Sequence, residues 1–252
     1  MSLPPLTPQP LSSLTGERGA RSGPAIPLWV KLAYTAWVAV WLPVYWYRYG
    51  GCNQLWLCDF ANLATLAALW LDSRVLLSSQ LVAVAVPQVG WTIDWVGRLL
   101  LGFHPIGGTE YMFDVSKPWW LRALSLFHLW MLPFLVWLVR RTGYDRRGVW
   151  VQTALMTCVL LPASFLGATR GENVNWVWGP FGKEQTWLPP AVWFVLLFVL
   201  YPLVLFLPPH WIATKTLPPA PAPADSRSAA DTGQRPAEAA GMPELTRPTA
   251  RS

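Results

Sequence analysis

Charged residues are scarce in this 252-residue chain: Asp, Glu, Lys and Arg make up 13% of it, whereas hydrophobic residues make up 53%. Soluble globular domains rarely have this composition. The formal net charge of +6 does not indicate nucleic-acid binding, because the basic residues lie in loops and tails beside apolar segments. We therefore expect neither a soluble domain nor a nucleic-acid partner.

Cysteine and histidine are equally scarce, with three residues of each. The cysteines are too few for a disulfide framework and lack zinc-ligand spacing: Cys52, Cys58 and Cys158. Four residues have side chains that bind metals but no metal-site spacing: His104, Glu110, Asp114 and His128. No nucleophile elbow, His-Glu-x-x-His pair, Walker or Rossmann motif is present. We expect no metal, no cofactor and none of the familiar soluble chemistries.

Long apolar runs are what the sequence has in abundance. Six of them have about the 20 residues that a helix needs to cross a bilayer, at 26–45, 54–71, 75–103, 119–139, 149–167 and 188–211. Many of the 18 tryptophans lie where these runs meet polar loops, as interfacial anchors do. The pattern predicts an all-α polytopic membrane protein, a bundle of six transmembrane helices at 25–213. Residues 1–24 and 214–252 are predicted to be disordered because they are rich in Pro, Ala, Ser and Thr.

Basic residues in short loops predict the orientation, because such loops stay in the cytoplasm. The strongest group separates the fourth and fifth runs: Arg140, Arg141, Arg146 and Arg147. This group places both termini in the cytoplasm of a bacterial inner membrane. The loops at 48–53, 104–118 and 169–187 then face outwards.

Five polar residues interrupt the apolar runs, where an ionisable side chain costs about 2.5 to 3.5 kcal/mol. They are Asp59 and Asn62 in the second run, Asp94 and Arg98 in the third, and His128 in the fourth. Helical rise places them in the outer half of the bundle, where we expect them to face one another. Asp94 and Arg98 are four residues apart and can form an internal ion pair. Either Cys58 or Asp59 can point at the bundle axis, but hardly both.

Two of the outer loops have compositions that favour binding. The Gly-rich stretch from His104 to Asp114 includes Glu110 and can fold back over the outer mouth of the bundle. The stretch 173–187 combines amides such as Asn175 with aromatic and turn residues. Alternatively, its tryptophans are ordinary interfacial anchors.

Three stretches resemble a family of bacterial multi-pass membrane proteins without an assigned function: 52–63 (CNQLWLCDFANL), 107–114 (GGTEYMFD) and 175–182 (NWVWGPFG). More remotely, the layout is similar to that of the YwaF-like and androgen-induced-protein-like membrane proteins. These include lipid acyltransferases and fatty-acyl ester hydrolases. By position, the resemblance implies that Cys58 is the nucleophile and His128 the base.

The leading hypothesis is therefore acyl transfer or ester hydrolysis on membrane lipids. In this hypothesis Asp94 or Asp59 orients the imidazole of His128, and Arg98 or Asn62 steadies the oxyanion. A membrane-buried cysteine such as Cys58 is more often a small buried residue than a nucleophile, and His128 can equally be a core histidine. The alternative is a non-enzymatic structural, accessory or solute-handling membrane protein in which the buried polar residues form a network. Membrane lipids are the only partners that the sequence predicts.

Overall fold

The computed structural model describes residues 26–168 and 170–221, and this part of the chain is all-helical. Six helical segments run along it: α1 (Leu28–Tyr49), α2 (Leu57–Trp70), α3 (Arg74–Leu101), α4 (Trp119–Thr142), α5 (Gly148–Gly167) and α6 (Pro190–Thr216). All except α2 are long and apolar enough to cross a membrane. The predicted all-α class is confirmed for the described residues. The predicted N-terminal segment 1–24 lies outside them.

Successive helices run in alternating directions, so the connections gather at two ends. At one end, which we call the basic end (71–73, 143–147 and 217–221), Lys31 forms an ion pair with Asp72 at 2.6 Å. There the backbone of Tyr144 also bonds to those of Pro218 and Ala220. At the other, which we call the loop end (50–56, 102–118, 168 and 170–189), the Cys52 thiol donates to the Gly167 carbonyl at 3.2 Å. The structure therefore groups the same loops as the predicted topology does.

Helix α3 lies at the centre and packs against α2, α4, α5 and α6. Its close approach to α5 depends on Gly148, because a Cβ atom there would lie 2.8 Å from the backbone of Ser78. Small residues at a crossing let two helix backbones come this close. The central position of α3 therefore brings it into contact with four neighbouring helices.

Helix α2 is shorter than predicted. Residues Gly51–Leu55 form a 3-10 turn, and the α-helix begins only at Leu57. Fourteen residues span about 21 Å, less than the roughly 30 Å of a hydrocarbon core. The turn reaches into the bundle, since Gln54 in it is buried. The loop end therefore penetrates the bundle at α2.

The last helix extends three residues beyond the predicted boundary at residue 213. Helix α6 continues to Thr216, whose hydroxyl donates to the Ile212 carbonyl at 2.8 Å. Pairing of Pro218 and Ala220 with Tyr144 then holds the chain after the helix. The predicted tail from residue 222 onwards lies outside the described residues.

Candidate functional site

Asp94 fixes the loop that follows α3. Its side chain is 1% exposed. Oδ1 accepts hydrogen bonds from the backbone amides of Ile106 and Gly107, both at 2.8 Å. Oδ2 accepts from the backbone amide and hydroxyl of Thr109 at 3.1 and 2.5 Å, and lies 3.0 Å from Nδ1 of His104. A carboxylate that binds three backbone amides holds the loop against the end of the helix.

The predicted ion pair between Asp94 and Arg98 is wrong: within the described chain, Asp94 pairs with His104 instead. The Arg98 guanidinium donates to the Gly102 carbonyl and lies 5.6 Å from the ring centroid of Phe113. The reason is the helix end: Gly102 adopts a left-handed φ of 80° and turns the chain back towards Asp94. Gly97 leaves room for this return, because a Cβ atom there would lie 2.5 Å from Cγ of Pro105.

The fixed loop forms one wall of a cavity of about 570 Å³ at the loop end, which we call the loop-end cavity. His104, Gly107 and Glu110 line it from one side, and residues 180–181 and 183–187 line it from the other. The two outer loops thus meet at this cavity. Both signs of charge are present in the wall, on Glu110 and on Lys183.

Glu110 and Asp114 have different surroundings. Glu110 lines the loop-end cavity and accepts a hydrogen bond from the Gly108 amide at 2.7 Å. Asp114 closes a turn of its own, with Lys117 at 2.7 Å and the Ser116 hydroxyl at 2.6 Å. These hydrogen bonds hold the pKa of Asp114 well below its usual value. Asp114 is not among the residues that line the cavity.

Asn175 fixes the second loop. It is buried, and Nδ2 donates to the Leu55 carbonyl at 2.6 Å and to the Ser164 hydroxyl at 3.0 Å. Oδ1 accepts from the Leu57 amide at 3.0 Å. Both hydrogens of the amide nitrogen are therefore used within the protein. Asn175 positions the loop against the start of α2 and has no donor left for a ligand.

Asp59 lies at the bottom of the loop end, among hydroxyl groups. It is 5% exposed, and its Oδ2 accepts a hydrogen bond from Nδ2 of Asn53 at 2.6 Å. No basic side chain of the described residues forms an ion pair with it. Three tyrosines lie close enough to interact electrostatically with the carboxyl group: Tyr45, Tyr49 and Tyr111. We call these four residues with Ser125 the Asp59 cluster.

Hydrogen bonds tie the Asp59 cluster to four elements of the fold. The Tyr45 hydroxyl lies 2.5 Å from that of Ser125 in α4. Trp91 in α3 donates its indole N–H to the Tyr111 hydroxyl at 3.1 Å. Burial raises the pKa of Tyr111, and the nearby Asp59 adds to this effect. The phenol therefore stays protonated at neutral pH and keeps a hydrogen to donate.

The structure does not join the proposed nucleophile and base. Among the described residues, no hydrogen bond connects the Cys58 thiol with the His128 imidazole. His128 donates from Nδ1 to the Ser125 carbonyl at 2.8 Å and stacks on Trp91 with centroids 4.7 Å apart. Cys58 lies near Tyr201 of α6 instead. His128 thus adjoins the Asp59 cluster through Trp91, and Cys58 occupies another side of α2.

Asn62 also lies apart from the loop-end cavity. It is fully buried, and its Oδ1 accepts hydrogen bonds from the Tyr34 hydroxyl and the Trp37 indole, both at 3.2 Å. The sequence had grouped Asn62 with Asp59 because both interrupt one apolar run. Asp59 and Asn62 are three positions apart and both face α1, but at different heights: Asp59 lies near Tyr45 and Tyr49, whereas Asn62 contacts Tyr34 and Trp37.

Two residues near the Asp59 carboxyl group were not singled out from the sequence: Tyr45 and Trp91. Tyr111, Phe181, Lys183 and Trp187 lie in the two outer loops that were expected to bind, but they were not predicted individually as site residues. Tyrosines near the ends of predicted spans resemble ordinary interfacial anchors, so the sequence does not indicate that they belong to a site.

The chain matches no protein-family model, no curated protein and no solved structure in the comparisons made.

Proposed function

We propose that this chain is an integral membrane protein in which all six helices cross or enter the bilayer, with the basic end in the cytoplasm. Five long apolar helices and the alternating order of the connections support this placement. Four arginines at 140–147 mark the basic end as the retained side. Both termini then lie in the cytoplasm, and a bacterial inner membrane is the expected location.

The function that the geometry supports best is binding of a lipid headgroup in the loop-end cavity. The observation that carries it is the cavity itself, about 570 Å³ with acidic and basic groups in its wall. Exposed Phe181 and Trp187 stand at its rim, where aromatic side chains favour the headgroup region. A phospholipid headgroup combines phosphate with polar or cationic groups and suits such a wall.

We expect Thr186→Trp to lower headgroup binding by about tenfold, because an indole fills part of the loop-end cavity. The measurement is photocrosslinking of a headgroup-labelled phospholipid to the purified protein in nanodiscs. Val115→Trp is the matched control, since Val115 is 92% exposed in the other loop and does not line the cavity. Equal labelling of the two variants contradicts the proposal.

Lipid acyl transfer or hydrolysis through Cys58 and His128 remains a further proposal. It requires the Cys58 thiol to come within hydrogen-bond reach of Nε2 of His128, since no hydrogen bond joins these two side chains among the described residues. Its alternative is that the Asp59 cluster and its neighbours form a non-enzymatic polar network. The enzyme and the non-enzymatic network differ in the reactivity that they predict for the Cys58 thiol, so an experiment on the thiol distinguishes them.

A thiol-directed lipid-ester probe distinguishes the enzyme from the non-enzymatic network. If the pair acts, Cys58→Ser abolishes labelling and His128→Ala slows it by about 100-fold, the contribution of a general base. Cys158→Ser is the control, because Cys158 is exposed and takes no part in the pair. Labelling of His128→Ala at the wild-type rate excludes the mechanism.

A further inference from the structure

A second cavity lies towards the basic end, in a groove between α1 and α4. It measures about 360 Å³, and we call it the aromatic groove. Its wall is almost entirely apolar and includes Trp29, Ala33, Trp37, Trp130, Phe134 and Trp137. From Trp29 to Trp37 the groove extends about 12 Å along α1, which is much of one bilayer leaflet.

The floor of the aromatic groove is held in place before any ligand arrives. Asn62 anchors the Tyr34 hydroxyl and the Trp37 indole from below. Tyr34 stacks on Phe134 with ring centroids 5.3 Å apart, and Trp37 meets Trp130 edge to face at the same distance. These contacts satisfy the polar groups of the floor, so the groove offers an apolar and preformed surface.

Positive charge stands at the basic end of the groove. Arg140 and Arg141 follow Trp137 by three and four residues, which places them within one helical turn of it. The Arg141 guanidinium lies 6.0 Å from the centroid of the Trp137 ring. Arg140 is exposed. An apolar slot that ends at two guanidinium groups matches a hydrocarbon chain that ends at a phosphate.

We propose that the aromatic groove binds one acyl chain of an anionic phospholipid from the cytoplasmic leaflet, with its phosphate beside Arg140 and Arg141. The proposal rests on the membrane placement given above and is independent of the loop-end cavity. It names a second lipid site, at the opposite end of the bundle from the first. Charge complementarity selects an anionic headgroup over a zwitterionic one.

The test uses the full chain in nanodiscs that contain phosphatidylglycerol and phosphatidylcholine. Native mass spectrometry counts the lipids retained after detergent release. We expect wild-type protein to retain phosphatidylglycerol preferentially. The double variant Arg140→Gln/Arg141→Gln should weaken this retention by roughly tenfold. Ala33→Phe, which fills the groove, should weaken it similarly.

Two control variants keep the test specific to the groove. Val40→Phe adds the same ring to an exposed position further along α1, and Arg48→Gln removes an exposed charge at the other end of that helix. Both should retain lipid as the wild type does. Unchanged retention in the double variant, equal losses in the controls, or equal retention of phosphatidylcholine overturns the proposal. Because the double variant leaves every residue that lines the groove in place, it tests the site even if Ala33→Phe fails to fold.

Failure of the loop-end proposal and failure of the groove proposal give different results. Thr186→Trp should lower crosslinking at 180–187 by about tenfold and leave phosphatidylglycerol retention in the groove unchanged. If instead no lipid is retained preferentially while the cavity crosslinks normally, only the groove proposal fails.

Discussion

Asp94→Ala is expected to release residues 104–109 from the end of α3 while the helices themselves stay packed. The substitution removes the acceptor of three backbone amides, those of Ile106, Gly107 and Thr109. Each buried amide left without a partner costs about 1 to 3 kcal/mol. The Thr109 amide is buried and those of Ile106 and Gly107 are partly buried, so the free energy that keeps the loop closed should fall by roughly 1 to 3 kcal/mol.

Hydrogen exchange followed by mass spectrometry measures this opening directly. Peptides that cover 104–109 should exchange much faster in Asp94→Ala, whereas peptides of α2 and α5 should not change. Asp114→Ala is the control, because Asp114 bonds only within its own turn of the same loop. Unaltered protection at 104–109 would show that the carboxylate does not hold the loop. Release of the loop should also reduce crosslinking in the loop-end cavity, since His104 and Gly107 bond to Asp94 and also line the cavity.

Asp94 stood out in the sequence because an ionisable side chain in an apolar run is energetically unfavourable, but the partner predicted for it was wrong. Helical spacing makes Arg98 the nearest candidate on the same face. The actual partners are mostly backbone amides, which no sequence pattern distinguishes from any others. Whether they reach the carboxylate depends on the left-handed turn at Gly102 and on the space above Gly97. The residue was predictable, and its role depended on the path of the loop.

The helices themselves were the predictable part, because length and hydropathy determine them locally. Five predicted spans correspond to long apolar helices, with ends that differ by a few residues. Helix α2 departs more, since its first turn is drawn into the 3-10 segment Gly51–Leu55 and is held there by Asn175. That hydrogen bond joins residues 120 positions apart in the chain. Tertiary contacts also give Cys58 and His128 different neighbours, Tyr201 for the thiol and Ser125 for the imidazole, although the layout resemblance had paired the two residues.

Asp59→Asn is expected to stabilise the protein and to impair its function. The carboxylate is buried without a cation among the described residues, and burial of an unpaired charge is unfavourable. Asparagine has nearly the same shape and keeps a carbonyl oxygen for the hydrogen bond from Asn53. We therefore expect the free energy of unfolding in detergent to rise by about 1 kcal/mol or more.

Asp72→Asn is the matched control, and it should not stabilise the protein. Asp72 forms an ion pair with Lys31 and adopts a left-handed φ of 48°, which asparagine tolerates well. Its substitution should leave stability unchanged or lower it, because it removes a partner of Lys31. If Asp59→Asn lowers stability as well, the carboxylate is a structural member of the bundle. A rise in stability together with weaker lipid crosslinking identifies Asp59 as an acid retained at a cost in stability, the pattern expected of a functional site.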